Sequence, residues 1–283
     1  MKTMKRISAL ILSIALLIAL CPQISASAAV NTQSDTLLVG EVVNYTAFLG
    51  TIESVSSNKK TVATVKKKNG KAVVTAKKGG KAVITIKTSR VTNKINLTVK
   101  KANFNCSLEL LPDGYVLISV KNNTSVFIDS ATVSYTLKNP EGEVITENKT
   151  CTVSALMPNE TAYAKVYYDS YHFTVNIPGS SAKVQSQNRS LSAKYTSRIS
   201  TTKVTVTDED TEARKLAVKI QNKYSGSING YVDFLFYDAD GNIINVSSRS
   251  LYLQGNATTS ESISTPAEYV SYKTVIRSYS KTY

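Results

Sequence analysis

Apolar and polar side chains alternate in short runs along most of the chain. Ala82, Ile84 and Ile86 can face one way while Val83, Thr85 and Lys87 face the other. Ile95, Leu97 and Val99 alternate in the same manner with Asn96, Thr98 and Lys100. Successive side chains of a strand point to opposite faces, so a period of two with one wet face predicts antiparallel sandwiches. Asn69-Gly70 and Gly79-Gly80 fall between apolar runs, where hairpin turns need positive φ. The alternation fails at the start of the chain. Ile7 to Leu20 is continuously apolar apart from small residues, behind Lys2, Lys5 and Arg6 and ahead of Ala26-Ser27-Ala28. That is the layout of a secretory signal, so residues 1–28 are expected to be removed on export. The apolar run, about 14 residues, is shorter than the roughly 20 of a membrane span; an uncleaved anchor is the alternative. Cys21 is not expected to carry lipid, since Leu20 stands where a small residue would precede a lipidated cysteine.

The second half of the chain compares well with itself. VLISVKNNTSVFIDSATVSYTLKNPEGEVI (116–145) aligns with LAVKIQNKYSGSINGYVDFLFYDADGNII (216–244). Asn122 falls opposite Asn222 and Gly142 opposite Gly241. Each copy runs from an apolar strand through Lys/Gln-Asn and a polar turn to a long aromatic strand, a Gly turn and a further strand. A repeat of this length predicts two similar sandwiches, 103–193 and 194–283, divided within the polar stretch 179–200. With residues 29–102 as a separate module, the mature chain divides into three.

Composition agrees with strands. Val, Ile, Thr, Ser, Tyr and Asn dominate, and tryptophan is absent. β-branched and aromatic side chains suit a pleated, half-buried surface, whereas helices favour unbranched residues. Charge is uneven. The chain carries a formal +14, yet from 103 onward lysine and arginine balance the acids at 17 each. Residues 29–102 hold 14 Lys/Arg against Asp35, Glu41 and Glu53. Lys59, Lys60, Lys66, Lys67, Lys68, Lys71, Lys77, Lys78 and Lys81 gather around two turns, which places them at one end or edge of the module. Two readings stand: a solvated face that keeps edge strands from pairing with neighbours, or an electrostatic footprint for an anionic polymer such as teichoic acid or phosphorylated envelope glycan. Nucleic acid is not the expected partner, because the interleaved aromatics that stack bases are missing.

Val39-Gly40-Glu41, SSNKKTVATV (56–65) and GKAVVTAKKGGKAVITIK (70–87) resemble the bacterial Ig-like domain, group 2, over about 65 residues in sequence order. The resemblance implies a β-sandwich of the kind found on surface adhesins and as accessory modules of secreted enzymes, without catalysis. Where that family carries a core tryptophan this chain has Ser54, so Tyr45 or Phe48 is expected to fill the volume. Phe234-Leu235-Phe236-Tyr237-Asp238-Ala239-Asp240-Gly241 is similar to small extracellular β-sandwich modules named for an F-x-L-Y-D motif. VSYTLKNPEG (133–142) in the first copy follows it loosely. The fold expected is therefore all-β: an N-terminal Ig-like β-sandwich and two related Ig-like β-sandwich repeats.

Few residues suggest chemistry. Asp238, Asp240 and Asn242 have calcium-loop spacing, but Arg249 occupies the twelfth position where an EF-hand needs a bidentate Glu, so an Asp-Gly turn is expected. Asn122 and Asn222 end strands and are expected to bond their own backbone, with ligand contact as the alternative. Tyr163, Tyr167, Tyr168, Tyr171 and Phe173 surround His172, the sole histidine. They read as core or inter-domain packing, or, for Tyr167 and Tyr171, as a platform for sugar rings. Cys106 and Cys151 form an even pair in an oxidising compartment, and either a disulfide or two buried thiols fits. No nucleophile elbow, paired histidines, phosphate-cradling loop or cofactor motif accompanies them, so no cofactor or metal is expected. Carboxylates at turns leave paired-carboxylate hydrolysis as a third hypothesis. The leading expectation is a non-catalytic exported protein, secreted or held non-covalently at the cell surface, that binds or spaces at the envelope. A glycan-binding accessory component of a secreted enzyme complex is the second.

Overall fold

The computed structural model describes residues 30–47, 49–112, 114–189, 193–195, 199–200 and 214–281. The expected signal segment, Cys21 and Phe48 lie outside them. Every regular element among the described residues is a strand. The chain divides into two compact units, Met1–Lys101 and Ala102–Tyr283.

Unit 1 contains β1 (Val30–Leu38), β2 (Val42–Tyr45), β3 (Ile52–Ser57), β4 (Ala63–Lys68), β5 (Lys71–Ala76), β6 (Gly80–Thr88) and β7 (Thr92–Lys100). They form two sheets, β1-β7-β6-β3 and β2-β5-β4. All pairings are antiparallel except β1 with β7, which run parallel from Val30↔Thr92 to Leu38↔Lys100. A first strand lying beside the last, with the second strand in the opposite sheet, is an immunoglobulin-like arrangement. The alternation places Ile84, Ile86, Ile95 and Leu97 against Val43, Ala72, Val74 and Ala76 across the sandwich. Tyr45 packs against this core and donates its hydroxyl to Asp35 Oδ2 at 2.5 Å. Ser54 is exposed. The polar end of this tyrosine is thus satisfied at the edge.

Unit 2 repeats one topology. The first half has β8 (Phe104–Leu111), β9 (Tyr115–Asn122), β10 (Ile128–Lys138), β11 (Val144–Leu156), β12 (Thr161–Tyr167) and β13 (Ser181–Asn188). Its sheets are β12-β9-β8 and β11-β10-β13. After β14 (Ala193–Tyr195) come β15 (Ile199–Ser200), β16 (Lys215–Asn222), β17 (Ile228–Tyr237), β18 (Ile243–Leu253), β19 (Thr258–Ser264) and β20 (Ser271–Lys281). Their sheets, β15-β16-β19 and β14-β20-β17-β18, reproduce the first pair, with β14 added beside β20.

The two halves of unit 2 share a buried face. Leu111 and Leu117 of the first half pack with Leu235 and Val246 of the second, and Phe127 and Met157 pack with Tyr231 and Tyr279. Val232, Phe234 and Phe236 of β17 fill their own sandwich, while Asp233 and Leu235 on its other face are buried as well. Asp233 meets Arg277 Nη2 at 2.6 Å, with both side chains almost fully enclosed. Arg277 also donates to the Ser154 carbonyl of the first half and lies 5.2 Å from the Tyr231 ring centre. Ser248 Oγ donates to Asp233 Oδ1 at 2.7 Å.

Candidate functional site

The register of unit 1 fixes where its lysines stand. β4 is an edge strand, and its hairpin with β5 pairs Lys68 with Lys71 across Asn69-Gly70, both of which have positive φ. Lys66, Lys67, Lys68 and Lys71 therefore cluster at the hairpin end. The opposite end holds Lys59, Lys60, Lys77, Lys78 and Lys81. It is closed by Val62 N–H donating to the Lys59 carbonyl and by Lys77 N–H donating to the Val62 carbonyl. Five residue steps of strand separate the ends, about 17 Å at ~3.3 Å per step. The nine lysines thus fall into two groups, at the two ends of the β4–β5 hairpin, instead of forming a single knot. All nine are exposed, and among the described residues none makes an ion pair. Two of the module's three acids are engaged elsewhere. Asp35 accepts from Tyr45, and Glu41 Oε2 accepts the Leu38 N–H at 2.8 Å. The edge presents cations with little internal neutralisation.

The two strand-ending asparagines are buried braces. Asn122 Nδ2 donates to the carbonyls of Val126 at 2.9 Å and Leu156 at 3.0 Å, while its Oδ1 accepts from Thr124 N and Oγ1. Asn222 repeats this with Gly226, Gln254 and Tyr224. The expected bonds to local backbone are present, joined by bonds to a strand end more than thirty residues away. Both side chains are fully buried, which removes the ligand-contact alternative.

Asp238 closes a turn. Its Oδ1 accepts the N–H of Asp240 at 3.0 Å and of Asn242 at 2.8 Å, and Gly241 has φ +82°. Asn242 N–H chiefly, with its side-chain amide, holds the Asp238 carboxyl below its ordinary pKa. Asn139 Oδ1 accepts the Glu143 N–H at 2.8 Å in the corresponding turn of the first half. Among the described residues no group of three or more His, Cys, Asp or Glu is arranged to hold a metal ion.

The aromatic stretch separates into buried and exposed members. Tyr168 is buried and Tyr163 half-buried, the latter against the second half of the unit, where burial raises its phenol pKa. Tyr167 is 63% exposed and Tyr171 91% exposed. Tyr167 sits on β12 directly opposite Tyr115, their rings edge to face at 5.5 Å. Tyr171 belongs to a separate loop, beside His172 and Asp169. Asp169 Oδ2 lies 2.6 Å from His172 Nδ1, and that side-chain bond is the leading cause of a lowered Asp169 pKa. Tyr167 and Tyr171 are thus both exposed, one at the end of β12 and the other in the loop that follows it.

Cys106 and Cys151 are free thiols in the structure, so the disulfide is not formed there. Cys151 pairs with Val133 of β10, whose other neighbour is Val184 of β13, and Cys106 bonds the backbone of Val184. Burial, then the proximity of Cys106, pushes the Cys151 thiol up to about 11.

Sequence reading missed a cleft in unit 2 where the β8–β9 turn meets β18 and the β19–β20 loop. It measures about 480 Å³ and is lined by Tyr115, Lys165, Arg214, Asn245 and Glu268 among others. Its residues come from both halves, and only the knowledge that those halves share a face would have joined them.

No family model matches the chain, and no curated protein matches it. Among solved structures it is similar to the crystal structure of the I9–I11 tandem from titin, at 10% identity and a TM-score of 0.25, covering 87% of this chain and 95% of that one. At those values the likeness adds nothing to the Ig-like sandwich architecture already read from the sheets.

Proposed function

We propose that this is an exported, non-catalytic modular protein that associates with an anionic polymer of the bacterial cell envelope through the lysine edge of unit 1. Unit 1 is read as a bacterial Ig-like domain of group 2, and unit 2 as tandem modules of the F-x-L-Y-D type that add binding or spacing surface. The reading rests on nine exposed lysines on β4, at the starts of β5 and β6 and in the segments before β4 and after β5, none in an ion pair among the described residues. Edge protection accounts for a few of them, since one or two lysines on β4 would deter strand pairing. It does not account for Lys59, Lys60, Lys77 and Lys78, which stand in turns, or for Lys81 on β6. Two cationic groups about 17 Å apart along one strand suit a linear polyanion, because lysine is a flexible, strongly hydrated point charge with no need for a fixed partner geometry.

Retention of the full chain on purified teichoic-acid-bearing walls tests this directly. Binding should fall steeply as salt rises from about 0.05 M to about 0.5 M, as the screening length contracts from over 10 Å towards a few ångströms. Replacing Lys66, Lys68, Lys71, Lys77 and Lys78 together by Gln should abolish it, with the thermal melt unchanged. Retention that ignores salt, or survives the five replacements, counts against the proposal.

A further inference from the structure

Strand register sorts the lysines of the β4–β5 hairpin by face. In β5, Ala72, Val74 and Ala76 are buried, so Lys71, Val73 and Thr75 between them point outward from the sandwich. The same face continues onto both neighbours. Lys68, Lys66 and Thr64 of β4 stand opposite Lys71, Val73 and Thr75, while Asn44 and Val42 of β2 stand opposite Val73 and Thr75. Lys66, Lys68 and Lys71 therefore share the outer face of the sheet β2-β5-β4 at its hairpin end. Lys67, opposite the buried Ala72, starts from the other face. We infer that Lys66, Lys68 and Lys71 form the docking site for the phosphodiester groups of a linear polymer, an inference that rests on the reading of unit 1 as a polyanion-binding module.

Edge protection does not explain this triad. β5 is the central strand of its sheet, so Lys71 has no open edge to guard. Its placement also carries a cost, because like charges directly opposite each other on paired strands repel, and Lys66 stands only about 7 Å along the strand from Lys68. An acid on the same face would relieve the contact, yet the other positions described there are Thr64, Val73, Thr75, Val42 and Asn44. Glu53, the one acid of the module not yet placed, lies on β3 in the opposite sheet. None of the three lysines makes an ion pair among the described residues. An anion seated among the three ammoniums removes the repulsion, so binding and the stability of the hairpin are linked. The triad is all lysine, which serves phosphate as a point charge, whereas planar bidentate capture of carboxylates favours arginine. Beyond the lysines the face passes to the hydroxyls of Thr64 and Thr75 and to Val42, which is 60% exposed. That mixture suits the short polyol between successive phosphates, with its hydroxyls and carbon chain.

The experiment compares single replacements in the full chain, reading affinity for a soluble poly(glycerol phosphate) chain at low salt beside retention on teichoic-acid-bearing walls. Lys66→Gln, Lys68→Gln and Lys71→Gln should each weaken polymer binding about threefold, and the triple replacement about thirtyfold. Lys67→Gln removes the same charge from the same strand but from the other face, and should cost less than about 1.5-fold. Without polymer, Lys68→Gln should leave the thermal melt unchanged or raise it, since an opposed like charge is gone. Amine acylation followed by peptide mapping supplies a second readout: the polymer should shield Lys66, Lys68 and Lys71 and leave Lys67 reactive. Equal losses from all four single replacements, or equal shielding of all four amines, would mean that charge is read diffusely. That result overturns the triad while leaving wall association intact, as does retention on walls without affinity for the polymer. An unaltered chain that binds neither walls nor polymer overturns both.

Discussion

At the scale of single residues, the buried asparagines do the most structural work for their size. Each amide satisfies backbone carbonyls that no water reaches, and ties the loop after one strand to the far end of another. Asn122→Ala should destabilise the protein by roughly 2–4 kcal/mol, because the Leu156 carbonyl and the Thr124 N–H lose this partner and the Val126 carbonyl keeps only the Thr124 hydroxyl. Asn222→Ala should behave alike. Urea unfolding followed by tyrosine fluorescence reads this out, and a change below about 0.5 kcal/mol would show that the braces are redundant. The thiols offer a second residue-scale test. A pKa of about 11 at Cys151 leaves far less thiolate near pH 8 than an ordinary thiol has. Alkylation of Cys151 in the folded chain should therefore be slow at pH 8, accelerate as pH rises towards 11, and become fast once the chain is unfolded. Mapping alkylated peptides checks it; rapid native labelling at pH 8, or a bond between the two cysteines, would contradict the free-thiol arrangement.

At the scale of elements, the sequence was most legible where a strand has one wet face. In β10, Ala131, Val133, Tyr135 and Leu137 are buried while Thr132, Ser134 and Thr136 between them are not, as period two requires. Its counterpart β17 breaks the rule. Asp233 and Leu235 occupy the face that alternation assigns to solvent, and both are buried. Leu235 was the available signal, since an aliphatic residue between Phe234 and Phe236 has no reason to stand on a wet face. The acid beside it obscured the reading, because a buried aspartate is rare unless paired, and its partner Arg277 lies forty-four residues away. Turns were legible for a simpler reason: their geometry is local. Asp238 is engaged by the amides of Asp240 and Asn242, while Arg249 points to Glu261 at 3.9 Å. Adding millimolar calcium or a chelator should therefore leave the melting temperature unchanged; a shift of several degrees would restore the cation loop.

At the scale of the molecule, unit 2 depends on how its two halves are fastened, and the Asp233–Arg277 pair is the fastener that crosses from one to the other. Within the second half it joins β17 to β20, and through the Ser154 carbonyl it reaches β11 of the first. A buried ion pair contributes little net stability against an apolar replacement, but removing one partner strands a charge and costs about 3–5 kcal/mol. Arg277→Ala should therefore loosen the shared face before it unfolds either sandwich. The double replacement Asp233→Leu with Arg277→Met should retain most of the stability while losing the polar register that fixes one half on the other. Hydrogen exchange of the full chain separates these outcomes. In Arg277→Ala the amides of β9, β11 and β17 should lose protection while those of β6 and β7 in unit 1 keep theirs. Unchanged exchange across β9 and β17 would mean that Leu111, Leu117, Leu235 and Val246 hold the halves together unaided, leaving the ion pair no part in their alignment.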